Sequence, residues 1–168
     1  MNYAALKPRD IANGPGVRVS LFVSGCTHRC KDCFNQEAWD FDYGESFDDA
    51  VMDHILDLLQ PDYIRGITYL GGEPMDPRNQ AGLLELSRKI RQKYPNKSIW
   101  CFTGYLWEKL PQVENVTEEL IRCLDVLVDG PFIAAQKNLR LQFRGSENQR
   151  LIDVPKSLEQ NRVVLWEG

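Results

Sequence analysis

Three of the five cysteines in the 168-residue chain lie close together, in the segment SGCTHRCKDCFN. They are Cys26, Cys30 and Cys33, at the spacing C-x3-C-x2-C. A cubane [4Fe–4S] cluster has four irons, each normally bound by one cysteine thiolate. Three cysteines in one loop can therefore bind three irons and leave the fourth open to an outside molecule. Because an open metal position is typical of catalytic sites, the spacing predicts a reactive cluster and not a structural one.

The same cysteines allow two other interpretations. In the first, they form a structural zinc site with His28 as the fourth ligand, but four ligands on eight consecutive residues are tight for a tetrahedral shell. In the second, Cys30 and Cys33 are a C-x2-C redox pair. The spacing favours the cluster over both. Cys101 and Cys123 lie in apolar segments, where cysteine usually packs as a small hydrophobe.

Length and composition narrow the class of protein. The chain is short enough for a single domain over residues 1–168, and 43% hydrophobic residues suffice for a globular core. The net charge of -4 argues against a nonspecific nucleic-acid binder. The sequence shows neither a long apolar run typical of a membrane span nor an apolar N-terminal signal. We therefore expect a cytoplasmic protein, in a compartment where clustered cysteines more often bind metal than form disulfides.

Strand and helix patterns alternate along the chain. Predicted strands cover residues 17–24, 66–70, 98–105 and 125–130, and predicted helices cover 48–60, 81–94 and 117–124. QRLIDV and NRVVLWE predict two further short strands near the C-terminus. The alternation is typical of βα units with a parallel sheet. A complete βα barrel takes about 250 residues, so we expect an open, partial βα barrel with a mainly parallel sheet and the cysteine loop after its first strand.

Motifs whose residues could bind a ligand follow four of these strands: the cysteine loop, GGEP, TGY and DGPF. The carboxyl ends of parallel strands share one edge of the sheet, where ligands bind, so these motifs predict one shared pocket. In GGEP, two glycines allow close approach of the backbone to a ligand, and Glu73 supplies a carboxylate. By itself GGEP is also typical of an ordinary turn. Asp129 is either a ligand contact or a turn-forming residue before Gly130.

The cysteine motif, followed one βα unit later by GGEP, resembles the radical S-adenosylmethionine superfamily. The resemblance implies that the amino and carboxylate groups of S-adenosylmethionine chelate the open iron. One electron from the reduced cluster then breaks the sulfonium bond, giving methionine and a 5′-deoxyadenosyl radical. It also implies these site residues: Cys26, Cys30 and Cys33 on the cluster, Gly71, Gly72 and Glu73 on the methionine moiety, and Thr103 and Gly104 on the ribose side, with Asp129 at the end of the fourth strand in the same pocket.

One position departs from the superfamily pattern. Many members carry an aromatic residue immediately before the third cysteine, where it contacts adenine. Here Asp32 precedes Cys33, and Phe34 follows it. The resemblance therefore implies an adenine contact made by the backbone of residues 32–34 or by the Phe34 ring.

Further motifs resemble a narrower group. NGPGVRVSLFVSGC is similar to the corresponding segment of glycyl-radical-enzyme activases, with Asn13 where aspartate is common. WCFTGY, LVDGPF and RGSENQR resemble the activases of anaerobic, class III ribonucleotide reductases. This resemblance implies hydrogen abstraction from a glycine of the large reductase subunit, which leaves a glycyl radical and needs no acid or base on the activase. It also implies an electron donor such as flavodoxin, and it is compatible with a homodimer.

Two alternatives remain open from the sequence. The first is a small-molecule radical enzyme of the same superfamily, such as a 7-carboxy-7-deazaguanine synthase, which is also compact. The second is a zinc-binding interaction module without enzymatic activity, based on the Cys/His cluster.

Overall fold

The four predicted strands of the βα units form the parallel centre of one sheet. In the computed structural model, which describes residues 1–33 and 36–168, the strands are β1 (Asn2–Asp10), β2 (Val17–Val23), β3 (Glu45–Ser46), β4 (Ile64–Gly71), β5 (Ser98–Phe102), β6 (Val126–Asp129) and β7 (Arg150–Asp153). Their order across the sheet is β3-β1-β2-β4-β5-β6-β7. Pairings β2–β4, β4–β5 and β5–β6 are parallel. The outer strands of the sheet, β3 and β7, do not pair with each other. The sheet is therefore open, which confirms the predicted fold class.

Three of the helices in the described residues begin where an aspartate side chain accepts from one of the first backbone N–H groups. The helices are α1 (Asp49–Leu58), α2 (Pro77–Lys93), α3 (Thr117–Arg122) and α4 (Val154–Gln160). The side chain of Asp48 caps α1, and that of Asp76 caps α2. The predicted start of α2 at residue 81 was one turn late, because Pro77 stands at the first helical turn, where proline is well tolerated.

Both termini differ from the prediction. An unpredicted strand, β1, pairs antiparallel with β2, so the cysteine loop follows the second strand of the chain and the first of the parallel set. The sequence NYAALKPRD hides this strand, because it mixes charged residues and a proline. The strand predicted from NRVVLWE is wrong within the described residues, where only Leu165 forms an isolated bridge to Ile152. QRLIDV does form β7, antiparallel to β6.

The core lies on both faces of the sheet because successive strand residues point to opposite sides. On β5, Ile99 and Cys101 belong to the large cluster that packs against the helices. Trp100, between them, belongs to a smaller cluster on the other face. Cys101 is fully buried, which confirms its predicted packing role. Among the described residues, no helix is both long and apolar enough for a membrane crossing.

Candidate functional site

The connections that leave the parallel strands are joined at one edge of the sheet. The Gly72 N–H donates to Val23 O (2.8 Å), and the Glu73 N–H donates to Gly25 O (2.7 Å). Farther along the edge, the Thr103 N–H donates to Val128 O (2.9 Å). The first two bonds join the GGEP turn to the start of the cysteine loop, and the third joins the segment after β5 to β6, as the parallel order predicts.

The cysteine loop turns tightly between its three thiols. Arg29 and Asp32 adopt left-handed backbone conformations, with φ of 51° and 58°, and the Cys33 N–H donates to Cys30 O (3.2 Å). All five cysteines of the chain lie within the described residues, and none is in a disulfide. Cys26, Cys30 and Cys33 are each half-buried at the edge of the sheet. Phe34, for which we predicted an adenine contact, lies outside the described residues.

Burial raises the pKa of the Cys26 thiol to about 11, and hydrogen bonds from the backbone N–H groups of His28 and Arg29 act in the opposite direction. These two N–H groups therefore favour the thiolate at Cys26, the form that binds metal. A cavity of about 640 Å³ borders the same residue and is lined in part by Trp39 and Phe41. Cys26 thus lies next to open space.

Glu73 connects the three segments through its carboxylate. Its side chain is 1% exposed. Oε1 accepts from the Gly104 N–H (2.7 Å) and lies 2.6 Å from His28 Nε2. Oε2 accepts from the Met75 N–H (2.8 Å) and from the Thr103 hydroxyl (2.8 Å). The predicted site residues Glu73, Thr103 and Gly104 therefore form one hydrogen-bonded unit, and His28 ties that unit to the cysteine loop.

The His28 ring is held on two sides. Its hydrogen bond to Glu73 raises the pKa of the imidazole, and the ring packs edge-on against Tyr105, with 4.5 Å between centroids. Gly104 leaves room for it, since a Cβ there would stand 2.7 Å from His28 Cδ2. His28 is thus a hydrogen-bonded side chain, and its bond to Glu73 directs Nε2 to a carboxylate. His54 is exposed on α1.

The glycines of the GGEP turn are required by close backbone contacts. Gly71 has φ of 101°, a region that other residues rarely adopt. A Cβ on Gly72 would stand 2.6 Å from Gly25 O. Glycine at both positions therefore allows the turn to lie directly against the start of the cysteine loop.

Asp129 is fully buried at the end of β6 and is bonded to protein donors. Oδ1 accepts from Arg150 Nε (3.0 Å), and Oδ2 accepts from Arg150 Nη2 (2.5 Å) and from the Trp107 N–H (2.8 Å). Arg150, the last residue of RGSENQR, also pairs with Glu108 (2.9 Å). The structure thus shows an anchoring role for Asp129. A direct contact from Asp129 to a ligand remains a prediction.

The segment RGSENQR supports the turn after β6. Asn148 Nδ2 donates to Pro131 O (2.8 Å), and Gln149 Nε2 donates to Gly130 O (3.1 Å). Together with the Arg150 pair, these bonds fix the DGPF motif to the strand that follows it. Composition alone predicts only a solvated loop for this segment.

The described residues fit a cubane bound by three cysteines. Cys101 is buried inside β5, and the thiol of Cys123 donates to Glu119 O within α3, so neither lies on the cysteine loop. No three Cys, His, Asp or Glu side chains among the described residues converge on a position for one metal ion. Cys26, Cys30 and Cys33 lie on one loop and are not in disulfides, and three thiolates can bind three different irons of a cubane. The donor set therefore matches a cluster with three cysteine ligands.

Two further residues were missed by sequence reasoning. Asn79, on the first turn of α2, donates its side-chain amide to both Ser24 O and Glu73 O. Arg18, near the start of β2, is a buried cation bonded to β4 and β5. No signal in the sequence marks either one, because their partners are 50 or more residues away or are main-chain atoms.

Comparison with known proteins agrees with this geometry. The family described as "4Fe-4S single cluster domain" matches residues 12–152. The chain is 42% identical to the anaerobic ribonucleoside-triphosphate reductase-activating protein of Haemophilus influenzae over 151 residues, which are 89% of this chain and 96% of that protein. The proteins of the same name from Escherichia coli K12 and phage T4 are 41% and 38% identical, over 89% and 90% of this chain and 96% and 93% of their own lengths.

The fold and the site define an open α/β protein with a 4Fe-4S domain, in which Cys26, Cys30 and Cys33 are suited to ligate the cluster. More specifically, the chain belongs to the family of anaerobic ribonucleoside-triphosphate reductase-activating proteins.

Proposed function

We propose that the chain activates an anaerobic ribonucleotide reductase through reductive cleavage of S-adenosylmethionine at a [4Fe–4S] cluster, which makes it a radical S-adenosylmethionine oxidoreductase. The observation that carries the proposal is the Glu73 carboxylate, which joins the three-cysteine loop to the segment after β5. This arrangement sets an anionic group beside a loop with three cysteine ligands. The activating proteins named above support the choice of reductase.

In this proposal Cys26, Cys30 and Cys33 hold the cluster and leave one iron open. A cluster held by these cysteines would supply the electron for cleavage of the sulfonium bond, and the deoxyadenosyl group released would accept a hydrogen atom from a glycine of the reductase. The chain itself supplies position and exclusion of water. No side chain acts as a general acid or base.

Glu73 is assigned to the amino group of S-adenosylmethionine. Because four donors already occupy its carboxylate, the ammonium would take the place of one of them. Gly71 and Gly72 let the backbone approach the methionine moiety without a side chain in the way. Thr103 and Gly104 line the ribose side, where their present bonds to Glu73 hold them at the same edge.

The adenine contact is assigned to the segment from Asp32 to Phe34. Asp32 is exposed in a left-handed turn immediately before Cys33, which supports its assignment to the adenine. Asp129, which Arg150 anchors at the end of β6, is assigned to the same site.

Several wider expectations belong to the proposal. The partner is the large subunit of the anaerobic reductase, and the electron donor is a protein such as flavodoxin. A homodimer, a cytoplasmic location and a single domain over residues 1–168 also remain predictions.

Anaerobic reconstitution with iron and sulfide tests the proposal. We expect about four irons per chain and an electron paramagnetic resonance spectrum of the reduced protein that changes on addition of S-adenosylmethionine. Addition of the anaerobic reductase should then produce a glycyl radical signal. An unchanged spectrum would refute the assignment of the open iron.

The same assays separate the alternatives. A small-molecule radical enzyme would turn over a free substrate and leave the reductase without a glycyl radical. A zinc module would bind one zinc per chain and take up no iron during reconstitution.

A further inference from the structure

Asn79 bridges the two segments that meet at the proposed site. It is the third residue of α2 and is 1% exposed. Its side-chain Nδ2 donates to Ser24 O (3.1 Å) and to Glu73 O (2.9 Å). One amide group therefore spans the gap between the end of β2, where the cysteine loop begins, and the GGEP turn.

The bridge begins where regular sheet pairing ends. The ladder between β2 and β4 stops at Val23 and Gly71. Beyond that point, two main-chain bonds continue the contact, from the N–H groups of Gly72 and Glu73. These bonds occupy Val23 O and Gly25 O, which leaves the carbonyl of Ser24, between them, to the side chain of Asn79. Asn79 thus completes the row of hydrogen bonds between the two segments.

The orientation of this amide is fixed by its neighbours. Both carbonyl oxygens are acceptors, so only the NH₂ group of asparagine can face them. Among the residues that the structure describes, Oδ1 is then buried without a hydrogen-bond partner. An unsatisfied buried acceptor costs stability, and asparagine is a weaker helix former than alanine. The residue is therefore poorly explained by the stability of α2, and its two donated bonds are its evident contribution.

We propose that Asn79 is a positioning residue that sets the distance between the cysteine loop and the Gly71–Glu73 turn. This inference rests on the proposed function and deepens it, because the loop would hold the cluster and the turn would hold the methionine moiety. The separation of the two segments then determines how well S-adenosylmethionine can reach both the open iron and Glu73. A displacement of about 1 Å in such a geometry can cost a large factor in rate or affinity.

Gln80 provides a matched control on the same helix. It is also fully buried, and its Nε2 donates to Met75 O (2.7 Å) and Thr117 Oγ1 (2.8 Å). Among the residues that the structure describes, its side chain makes no hydrogen bond to the cysteine loop or to Glu73. Asn79→Ala and Gln80→Ala therefore remove the same kind of group from the same helix, but only the first removes the bridge.

The first measurement is titration of the reduced, reconstituted protein with S-adenosylmethionine, followed by electron paramagnetic resonance at equal iron content. We expect Asn79→Ala to raise the half-saturating concentration about tenfold and Gln80→Ala to leave it within about twofold. Equal half-saturation in the two variants would overturn the inference. If the unmodified protein shows no response to S-adenosylmethionine, the proposed function fails instead, so the two failures are distinct.

The second measurement needs no cluster. Amide hydrogen exchange of the full chain should show about tenfold faster exchange at residues 24–26 and 72–73 in Asn79→Ala, and unchanged exchange there in Gln80→Ala. If Asn79→Ala does not fold, Asn79→Asp replaces it, because this change keeps the shape and removes the NH₂ donors. Unchanged exchange of both segments in the folded variant would refute the bridge.

Discussion

Two buried charged side chains lie at opposite ends of the parallel strands, one at the carboxyl ends and the other at the amino ends. Their hydrogen-bond partners differ in kind. Glu73, at the carboxyl edge, is bonded by groups from loops and turns: His28, Met75, Thr103 and Gly104. Arg18, at the amino edge, is fully buried and bonds the hydroxyls of Thr68 and Ser98, together with main-chain carbonyls that include those of Ile67 and Ser98.

Arg18 joins residues that lie mainly on strands of the sheet. Its guanidinium crosses from β2 to β4 and β5 and lies 5.6 Å from the Trp100 ring centroid. Burial lowers its pKa to about 10, which still leaves it charged at neutral pH. Because its partners belong mainly to strands that cannot move separately, we interpret Arg18 as a fixed structural link.

Glu73 acts on the loops that carry the proposed chemistry. Its partner His28 comes from the cysteine loop, whereas Thr68 and Ser98, the partners of Arg18, lie on strands. Full hydrogen bonding therefore does not distinguish a structural group from a functional one in this protein. The distinction is whether the hydrogen-bond partners lie on strands, as for Arg18, or in loops and turns, as for Glu73. Substitutions at the two positions test it.

Removal of one cluster cysteine should have the largest effect. Cys30→Ser leaves two thiolates in the loop, which cannot retain a cubane, so iron after reconstitution should fall from about four per chain to almost none. The half-buried loop position should leave the melting temperature of the cluster-free chain nearly unchanged. Iron analysis and thermal denaturation measure the two effects.

Cys123→Ser is the control, because Cys123 is also half-buried but lies outside the cysteine loop. It should keep its full iron content. Retention of four irons by Cys30→Ser would contradict the ligand assignment.

Removal of the structural link should mainly affect folding. Arg18→Met leaves the carbonyls of Ile67 and Ser98 without their guanidinium donor, so we expect a loss of about 2–5 kcal/mol in the free energy of unfolding. Denaturant titration of the full chain measures it. The response of the folded, reconstituted variant to S-adenosylmethionine should be unchanged.

The matched control for this change is Arg122→Met. Arg122 is exposed and pairs with Glu118 on α3, so its loss should alter stability by less than about 1 kcal/mol. If Arg18→Met lowers the free energy of unfolding no more than Arg122→Met does, Arg18 is not a structural link between the strands.

Neutralisation of Glu73 should affect ligand binding more than any charge change at the amino edge. In Glu73→Gln the amide nitrogen cannot accept the hydrogen bonds that one carboxylate oxygen accepts now, and the negative charge for an ammonium is lost. We expect the half-saturating concentration of S-adenosylmethionine to rise about tenfold or more, measured by electron paramagnetic resonance.

Asp76→Asn serves as the control, since Asp76 is a buried carboxylate in the same turn that caps α2. Asparagine is an equally good cap, so affinity should change little. Equal effects of the two substitutions would mean that Glu73 acts only through local charge.

The smallest expected effect comes from crowding His28. A methyl group in Gly104→Ala would stand 2.9 Å from His28 Nε2, so the ring must shift and its bond to Glu73 must lengthen. We expect a threefold to tenfold weaker response to S-adenosylmethionine, on the order of 1 kcal/mol. Gly82→Ala, inside α2 with no contact closer than 3.5 Å, should leave the response unchanged.

The fold was largely predictable because periodicity reports burial directly. The order of strands and helices from residue 17 to residue 130 is confirmed by β2, β4, β5 and β6 and the helices between them. The strand β1 was not predictable, because its pairing with β2 is a non-local contact and its side chains are mostly polar and partly exposed.

The residues of the candidate site were more predictable than the hydrogen bonds that join them. Spacing marked Cys26, Cys30 and Cys33, and strand order brought Glu73 next to them. The bond from His28 to Glu73 joins residues 45 positions apart, and periodicity contains no information about such a pair. Asp129 shows the same limit, since its anchor, Arg150, comes from the far side of a long connection.

The three thiols, the glycines that allow close backbone contact and the common end of the strands at which the motifs gather can all be read from the amino-acid sequence. These depend on local chemistry and on the alternation of elements, which the chain carries residue by residue. The tertiary structure alone decided which donors occupy Glu73, that Asn79 joins the two segments, and that Arg18 links the opposite edge. Such hydrogen bonds depend on distances between residues remote in the chain, and those distances exist only after the sheet has formed.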